Sequence, residues 1–241
     1  MNHRLLVGID DTDELDWDVG TGKLARRLLD DIADAFDLPP VGVVRQQFLV
    51  DDRVPYTTHN SGACLRFDAP RGLVPEIVSH VGDYLTENCA PNADPGLCVA
   101  YRDDVATPIV DWGHRASTDV LDATDARALA DEHDVFLDDY GGTGDGVVGA
   151  LAAVGRTAEG DTGRFVEYGR LRDYGDTVTV RTLTADGIRV VDEDEQPLET
   201  GAVATHGWLR PQLRDGHPTL PVEPDGETYR PANLDQRGSH P

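Results

Sequence analysis

Apolar and polar positions alternate between two periods along this chain. RLLVGI, residues 4–9, is a short apolar run that ends abruptly at acids, as a buried strand does. Leu24, Leu28, Ile32 and Phe36 then recur at helical spacing, with Arg26, Arg27, Asp30 and Asp31 on the opposite face. GTGKLARRLLDDIADAF therefore predicts an amphipathic helix, stopped by LPP at 38–40. VGVVRQQFLV (41–50) and SGACLRFDA (61–69) predict strands, joined by the polar loop DDRVPYTTHN. A helical pattern follows over 74–84, then a strand in GLCVAYR (96–102). Another helix is predicted near 122–133, with Asp122 or Thr124 as its cap. A glycine-rich stretch enters a small-residue helix at about Val147, and FVEYGRL (165–171) and TVTVRTL (177–183) predict strands. After Thr200 the periodicity weakens, and residues 230–241 are expected to fray. Strands interleaved with helices place the chain in the α/β (α+β) class.

Composition changes this picture in two ways. The net charge is −24, from 45 acidic against 21 basic residues, which repels nucleic acid at ordinary salt. The acids are dispersed, however, and 20 of the basic residues are Arg, with Lys23 the single Lys. That pattern fits a halophilic protein in molar salt, where the screening length falls to about 3 Å. The charge then describes the solvent rather than the partner. Cys64, Cys89 and Cys98 form no CxxC pair, so a reducing cytoplasm is the default and Cys64 reads as core. No apolar run approaches the ~20 residues of a membrane span, and no signal peptide opens the chain.

Candidate chemistry gathers in four loops. Asp10, Asp11 and Asp13 follow a predicted strand and precede a predicted helix, where ligands of α/β folds usually sit. Mg²⁺ takes hard oxygen ligands from one or two carboxylates, completed by water and substrate phosphates. The three acids fit that chemistry, or they are simply acids crowding a loop of an acidic protein; Asp16 and Asp18 read as solvated surface. Gly20, Thr21, Gly22 and Lys23 offer backbone N–H groups and one ammonium at a helix start, an anion seat, or else a plain turn. This is not a P-loop, because Leu24 stands where Ser or Thr is required. Tyr56, Thr57, Thr58, His59, Asn60 and Ser61 form a polar loop, and an imidazole can transfer protons near neutrality. GGTGDG, with Gly144 and Gly146, reads as a second phosphate nest or as a turn that permits close helix packing.

Taken together, GIDDTD (8–13), PYTTHNSGA (55–63), NADPG (92–96) and GDGVVGALAAVG (144–155) resemble, in order, the motifs of the archaeal tRNA-Ile agmatidine synthetase family. The match runs over roughly residues 5–170. The resemblance implies a kinase-like ATP-binding domain over 1–70 plus 135–185 and a ferredoxin-like insertion over 71–134. Residues 186–241 would form a C-terminal extension, partly irregular. It also implies ATP and Mg²⁺ as cofactors, with Asp10, Asp11 and Asp13 at the metal and phosphates; His59, where the family has a basic residue, is the further catalytic candidate by its own proton chemistry. Gly20, Thr21, Gly22, Lys23, Gly144 and Gly146 would bind the phosphates, and Tyr56, Thr57, Thr58, Asn60 and Ser61 the substrate. Full-length members continue into an OB-like domain and a zinc ribbon that help hold the tRNA. With three cysteines, this chain resembles a shorter stand-alone relative. The implied activity is an ATP-dependent phosphotransferase or ligase acting on a nucleotide or a tRNA base, with another protein helping to hold any tRNA. The alternative is a non-catalytic nucleotide-binding module derived from that family.

Overall fold

The computed structural model describes residues 2–54 and 60–232. The first apolar run forms β1 (His3–Asp10), and the amphipathic stretch forms α1 (Thr21–Phe36). Helix α1 ends one residue before LPP, at Asp37, whose φ of 51° is left-handed. Then come β2 (Pro40–Gln47), β3 (Ser61–Ala69), α2 (Val74–Asn88) and β4 (Gly96–Tyr101). Strand β1 pairs antiparallel with both β3 and β4, and β3 pairs antiparallel with β2. A β-α-β-β-α-β chain with strand order 4-1-3-2 is the ferredoxin-like arrangement. It is carried by residues 3–101, and the stretch 71–134 supplies its α2 and β4.

Four elements continue the chain: α3 (Thr107–Arg115), α4 (Ala123–Glu132), β5 (Phe136–Asp139) and α5 (Gly146–Glu159). Asp122 caps α4, accepting from the backbone N–H groups of Thr124 and Asp125 at 2.9 and 3.0 Å. Strand alternation divides the core. Leu5, Val7 and Ile9 face Leu24, Leu28 and Ile32 of α1 and Ile77 and Leu85 of α2. Leu6, Cys64 and Cys98 face the other way, onto Ile109, Trp112, Ala126 and the small residues of α5. The sheet is thus covered by helices on both faces.

The remainder is β6 (Arg164–Glu167), β7 (Thr177–Thr179), α6 (Val180–Ala185), β8 (Arg189–Val191) and β9 (Ala202–Ala204). Three further strands follow: β10 (Gln212–Arg214), β11 (His217–Asp225) and β12 (Thr228–Pro231). They extend one mixed sheet of twelve strands through β2–β6 and β6–β10 pairing, around a separate core of Phe165, Leu183, Val203 and Leu220. TVTVRTL departs from expectation: only its first residues are strand. Thr179 accepts from the Thr182 N–H and starts a helix instead. Residues 201–232 are likewise more regular than their periodicity suggests, while most of the 230–241 stretch expected to fray lies outside the described residues. Among the described residues no helix is long and apolar enough to cross a membrane.

Helix α5 lies unusually close to the sheet. A Cβ on Gly8 of β1 would meet the Ala150 carbonyl oxygen at 2.5 Å and Val154 Cγ2 at 2.8 Å. Gly8→Ala should therefore destabilise the fold by about 1–3 kcal/mol, as overpacking does. Gly22, in the first turn of α1, has nothing within 4 Å of such an added carbon. Gly22→Ala should be neutral or stabilise by up to about 1 kcal/mol. Urea midpoints of the two variants check this; equal loss in both would exclude close packing as the cause.

Candidate functional site

Strand β1 delivers Asp10 at its last position, with its carboxylate over Gly149 in the first turn of α5. Any side chain at 149 would occupy the space of that carboxylate. Asp11 turns the chain with a left-handed φ of 53°, a conformation that Asp tolerates better than most residues. Thr12 is buried, donates from Oγ1 to Thr21 Oγ1 at 3.0 Å and accepts the Ala90 N–H at 3.1 Å. Asp13 accepts from both the backbone and the hydroxyl of Thr21, at the start of α1. Glu14 accepts from Asn92, N–H at 2.5 Å and Nδ2 at 3.2 Å, which ties the acidic loop to the NADPG turn.

The electrostatics follow from this crowding. Burial, then the neighbouring Asp11 charge, push the Asp10 carboxyl up to about 7. Asp11 also reaches about 7, by burial and by the charges of Asp94, Asp13 and Asp145. Burial raises Asp13 as well, while its bonds to Thr21 pull the other way. Asp10, Asp11 and Asp13, expected at one cation, line one cleft. Among the described residues no three His, Cys, Asp or Glu side chains are placed to hold a metal ion together. Asp10 lies against α5, whereas Asp13 is engaged by the N-terminus of α1. The pair Asp10–Asp11 remains, and two carboxylates are a sufficient protein share for Mg²⁺.

The two glycine loops differ from open anion seats. Asp13 already serves Thr21 at the start of α1. In the second loop Asp94 accepts from the Thr143 N–H and from Thr143 Oγ1, so GGTGDG wraps an internal carboxylate. Gly144 is buried near Asp139 and Arg127 and is not among the residues that line the cleft. Lys23 is exposed at the cleft edge, its Nζ donating to the Asp18 carbonyl at 3.5 Å.

One cleft of about 1060 Å³ gathers Asp10, Asp11 and Asp13, all of 20–23, Asn60, Ser61 and Gly146. Asn60 is held by its Nδ2 donating to the Leu49 carbonyl at 2.7 Å, and Ser61 Oγ accepts from Arg45 Nε at 3.0 Å. Tyr56, Thr57, Thr58 and His59 lie outside the described residues. Sequence reasoning missed four further lining residues: Arg45, Arg164, Trp208 and Arg210. The signal in sequence was faint: Arg45 directly follows the apolar stretch VGVV and Arg164 directly precedes FV. Trp208 carries Arg172 and Arg210 over its ring, each guanidinium carbon 4.2 Å from the centroid.

The raised carboxylates predict a pH dependence. Asp10 sits near 7 in the fold against an ordinary 3.8, so between these values the native state holds a proton that the unfolded chain has released. Stability from this group is therefore present at low pH and lost as pH rises through about 7. With divalent cations chelated, Asp10→Asn should stabilise the protein more at about pH 8 than at about pH 5, by on the order of 1–3 kcal/mol. Urea unfolding of both proteins at the two pH values measures this. A gain independent of pH would contradict it.

No family model and no curated protein sequence matches this chain. Among solved structures it is similar to apo TiaS, an agmatidine synthetase for an isoleucine tRNA, at 24% identity and a TM-score of 0.53. That likeness covers 63% of this chain and 35% of TiaS. A TiaS complex with that tRNA, AMPCPP and agmatine gives 22% identity over 63% and 36% of the two chains, with the same TM-score of 0.53. A tRNA fluorescent labeling enzyme gives 25% identity over 63% and 36%, again at 0.53. The chain spans about a third of the length of these enzymes. What it shares with them is a mixed α/β fold.

Proposed function

We propose that this protein is an ATP- and Mg²⁺-dependent phosphotransferase or ligase that acts on a nucleotide or a tRNA base. The observation that carries the reading is the Asp10–Asp11 pair, two carboxylates held at about 7 by burial and by neighbouring acids, lining a large cleft. Such a pair is costly to ionise alone and favourable to ionise around a divalent cation, which fits Mg²⁺. Asp10 and Asp11 hold the metal, which when bound neutralises phosphate oxygens. Asp13 keeps the start of α1 in place beside them. Lys23, on the cleft edge, meets the outer phosphates as a compact point charge. Asn60 and Ser61 present the acceptor, and His59, next to them in sequence, is the candidate for proton transfer.

The kinship of fold supports the choice of chemistry, since TiaS structures include complexes with its tRNA, ATP, AMPCPP and agmatine. A tRNA acceptor would need another protein for its grip, given a net charge of −24. A non-catalytic nucleotide-binding module is the weaker reading. It would rest on the backbone nests, and these already serve Asp13 and Asp94.

Mg²⁺–ATP should protect the folded protein against heat in molar salt, by about 2.7 kcal/mol at one hundred times its dissociation constant. Asp11→Asn should abolish most of that protection. Turnover of radiolabelled ATP identifies the reaction by yielding ADP or AMP with pyrophosphate; no turnover with any nucleotide acceptor would sink the enzymatic reading. Lys23→Ala should weaken ATP roughly tenfold to a hundredfold, the loss of one charge-assisted hydrogen bond. Lys23→Arg should restore it in part, and wild-type affinity in both would remove Lys23 from the site.

A further inference from the structure

Strand β2 places Arg45 directly opposite Arg164 of β6, and Arg164 is in turn opposite Gln212 of β10. Residues paired in this way project on the same face of a sheet, and like charges there repel. All three line the cleft that holds the carboxylates. Both guanidiniums are half-buried and lie below the usual arginine range, Arg164 through burial. For Arg45 the causes are burial and then the charge of Arg164, with the Asp10 charge pulling the other way. Many arginines of this acidic chain find acids, as Arg4 does Asp68, Arg71 Asp104, Arg127 Asp138 and Arg230 Glu223, and Arg66 and Arg102, which do not, donate to backbone carbonyls. Among the described residues neither Arg45 nor Arg164 has a carboxylate within 4.0 Å, in a chain with 45 acids to choose from. Arg45 is nonetheless fixed in place, Nε donating to Ser61 Oγ at 3.0 Å and Nη2 to Gln47 Oε1 at 3.2 Å. Two positive forks, aligned, partly desolvated and without a contacting carboxylate, make a site whose own charge is best satisfied by an anionic ligand.

We propose that Arg45 and Arg164 seat a dianionic phosphate group, that of a phosphorylated acceptor distinct from the activating ATP. The assignment rests on the reading above only for there being an acceptor. Two guanidiniums match the two charges of a phosphate monoester better than the single charge of a backbone phosphodiester. The acceptor class is therefore a molecule with a terminal phosphate, such as a nucleoside monophosphate.

The test uses the whole chain at constant molar KCl, without divalent cations, following the melting temperature as inorganic phosphate is titrated. Wild type should be protected, and dimethyl phosphate, a monoanionic diester, should protect far less. Arg164→Gln should need roughly tenfold to a hundredfold more phosphate for the same shift. Without phosphate it should melt at or above the wild-type temperature, because a repulsion has been removed. Arg164→Lys, which keeps the charge and loses the fork, should fall between the two. Mg²⁺–ATP should still protect Arg164→Gln. The proposal fails if phosphate does not protect wild type, or protects Arg164→Gln equally. Equal protection by dimethyl phosphate would assign the seat to nucleic-acid backbone and overturn the monoester. Loss of Mg²⁺–ATP protection together with phosphate protection in a folded Arg164→Gln would make this the ATP site itself and overturn a separate seat. If phosphate protects as expected while Mg²⁺–ATP does nothing to wild type, the ATP reading fails and the phosphate seat stands.

Discussion

The approach of α5 to β1 is the constraint on which the rest depends. Gly8 admits the Ala150 backbone against the middle of β1, and Gly149 leaves room for the Asp10 carboxylate at the end of that strand. Residues 146–154 are small or β-branched apart from Leu151, so the helix can ride on the sheet at near-backbone contact. That contact fixes where β1 ends relative to the start of α5. Asp10 is consequently drawn out of water while still facing the cleft, and its raised carboxyl is the result.

A second consequence concerns where the internal anions go. Helix starts and glycine turns attract negative charge, and in this acidic chain nearby carboxylates have taken those places. Asp13 serves Thr21, and Asp94 serves Thr143. These bonds organise the loops around the cleft: Thr12, Glu14, Ala90 and Asn92 link the acidic loop to the turn that carries Asp94. Positive charge lines the same cleft from β2, β6 and the segment after β9. The C-terminal strands are therefore part of the site: Arg66 of β3, stacked 5.4 Å over Phe165, donates to the Gly216 carbonyl at 3.0 Å and helps join them to the first core.

Local pattern was a good guide wherever an element buries one face against a large neighbour. The spacing of Leu24, Leu28 and Ile32 located α1, and RLLVGI, SGACLRFDA and GLCVAYR located β1, β3 and β4. It failed for short elements whose stability comes from partners distant in sequence. Helix α3 and strand β5 went unpredicted, and the second half of TVTVRTL became α6 because a Thr179 cap outweighs β propensity over so few residues. Strands β9 to β12 have weak periodicity of their own and exist through pairing with one another and with β6.

The site divides along the same line. The order of residues by itself determined that Asp10, Asp11 and Asp13 would stand between a strand and a helix, with glycines and one lysine after them, because neighbours in sequence share a strand end whatever the fold. Only the tertiary structure decided that all three would line one cleft and that Asp13 would also serve a helix start. It also brought Arg45 and Arg164 together, 119 positions apart by their numbering, with Trp208 and Arg210 lining the same cleft. Sheet register and helix contact distance are set by packing over the whole chain, and a desolvated charge acquires its energy from neighbours that local sequence does not specify.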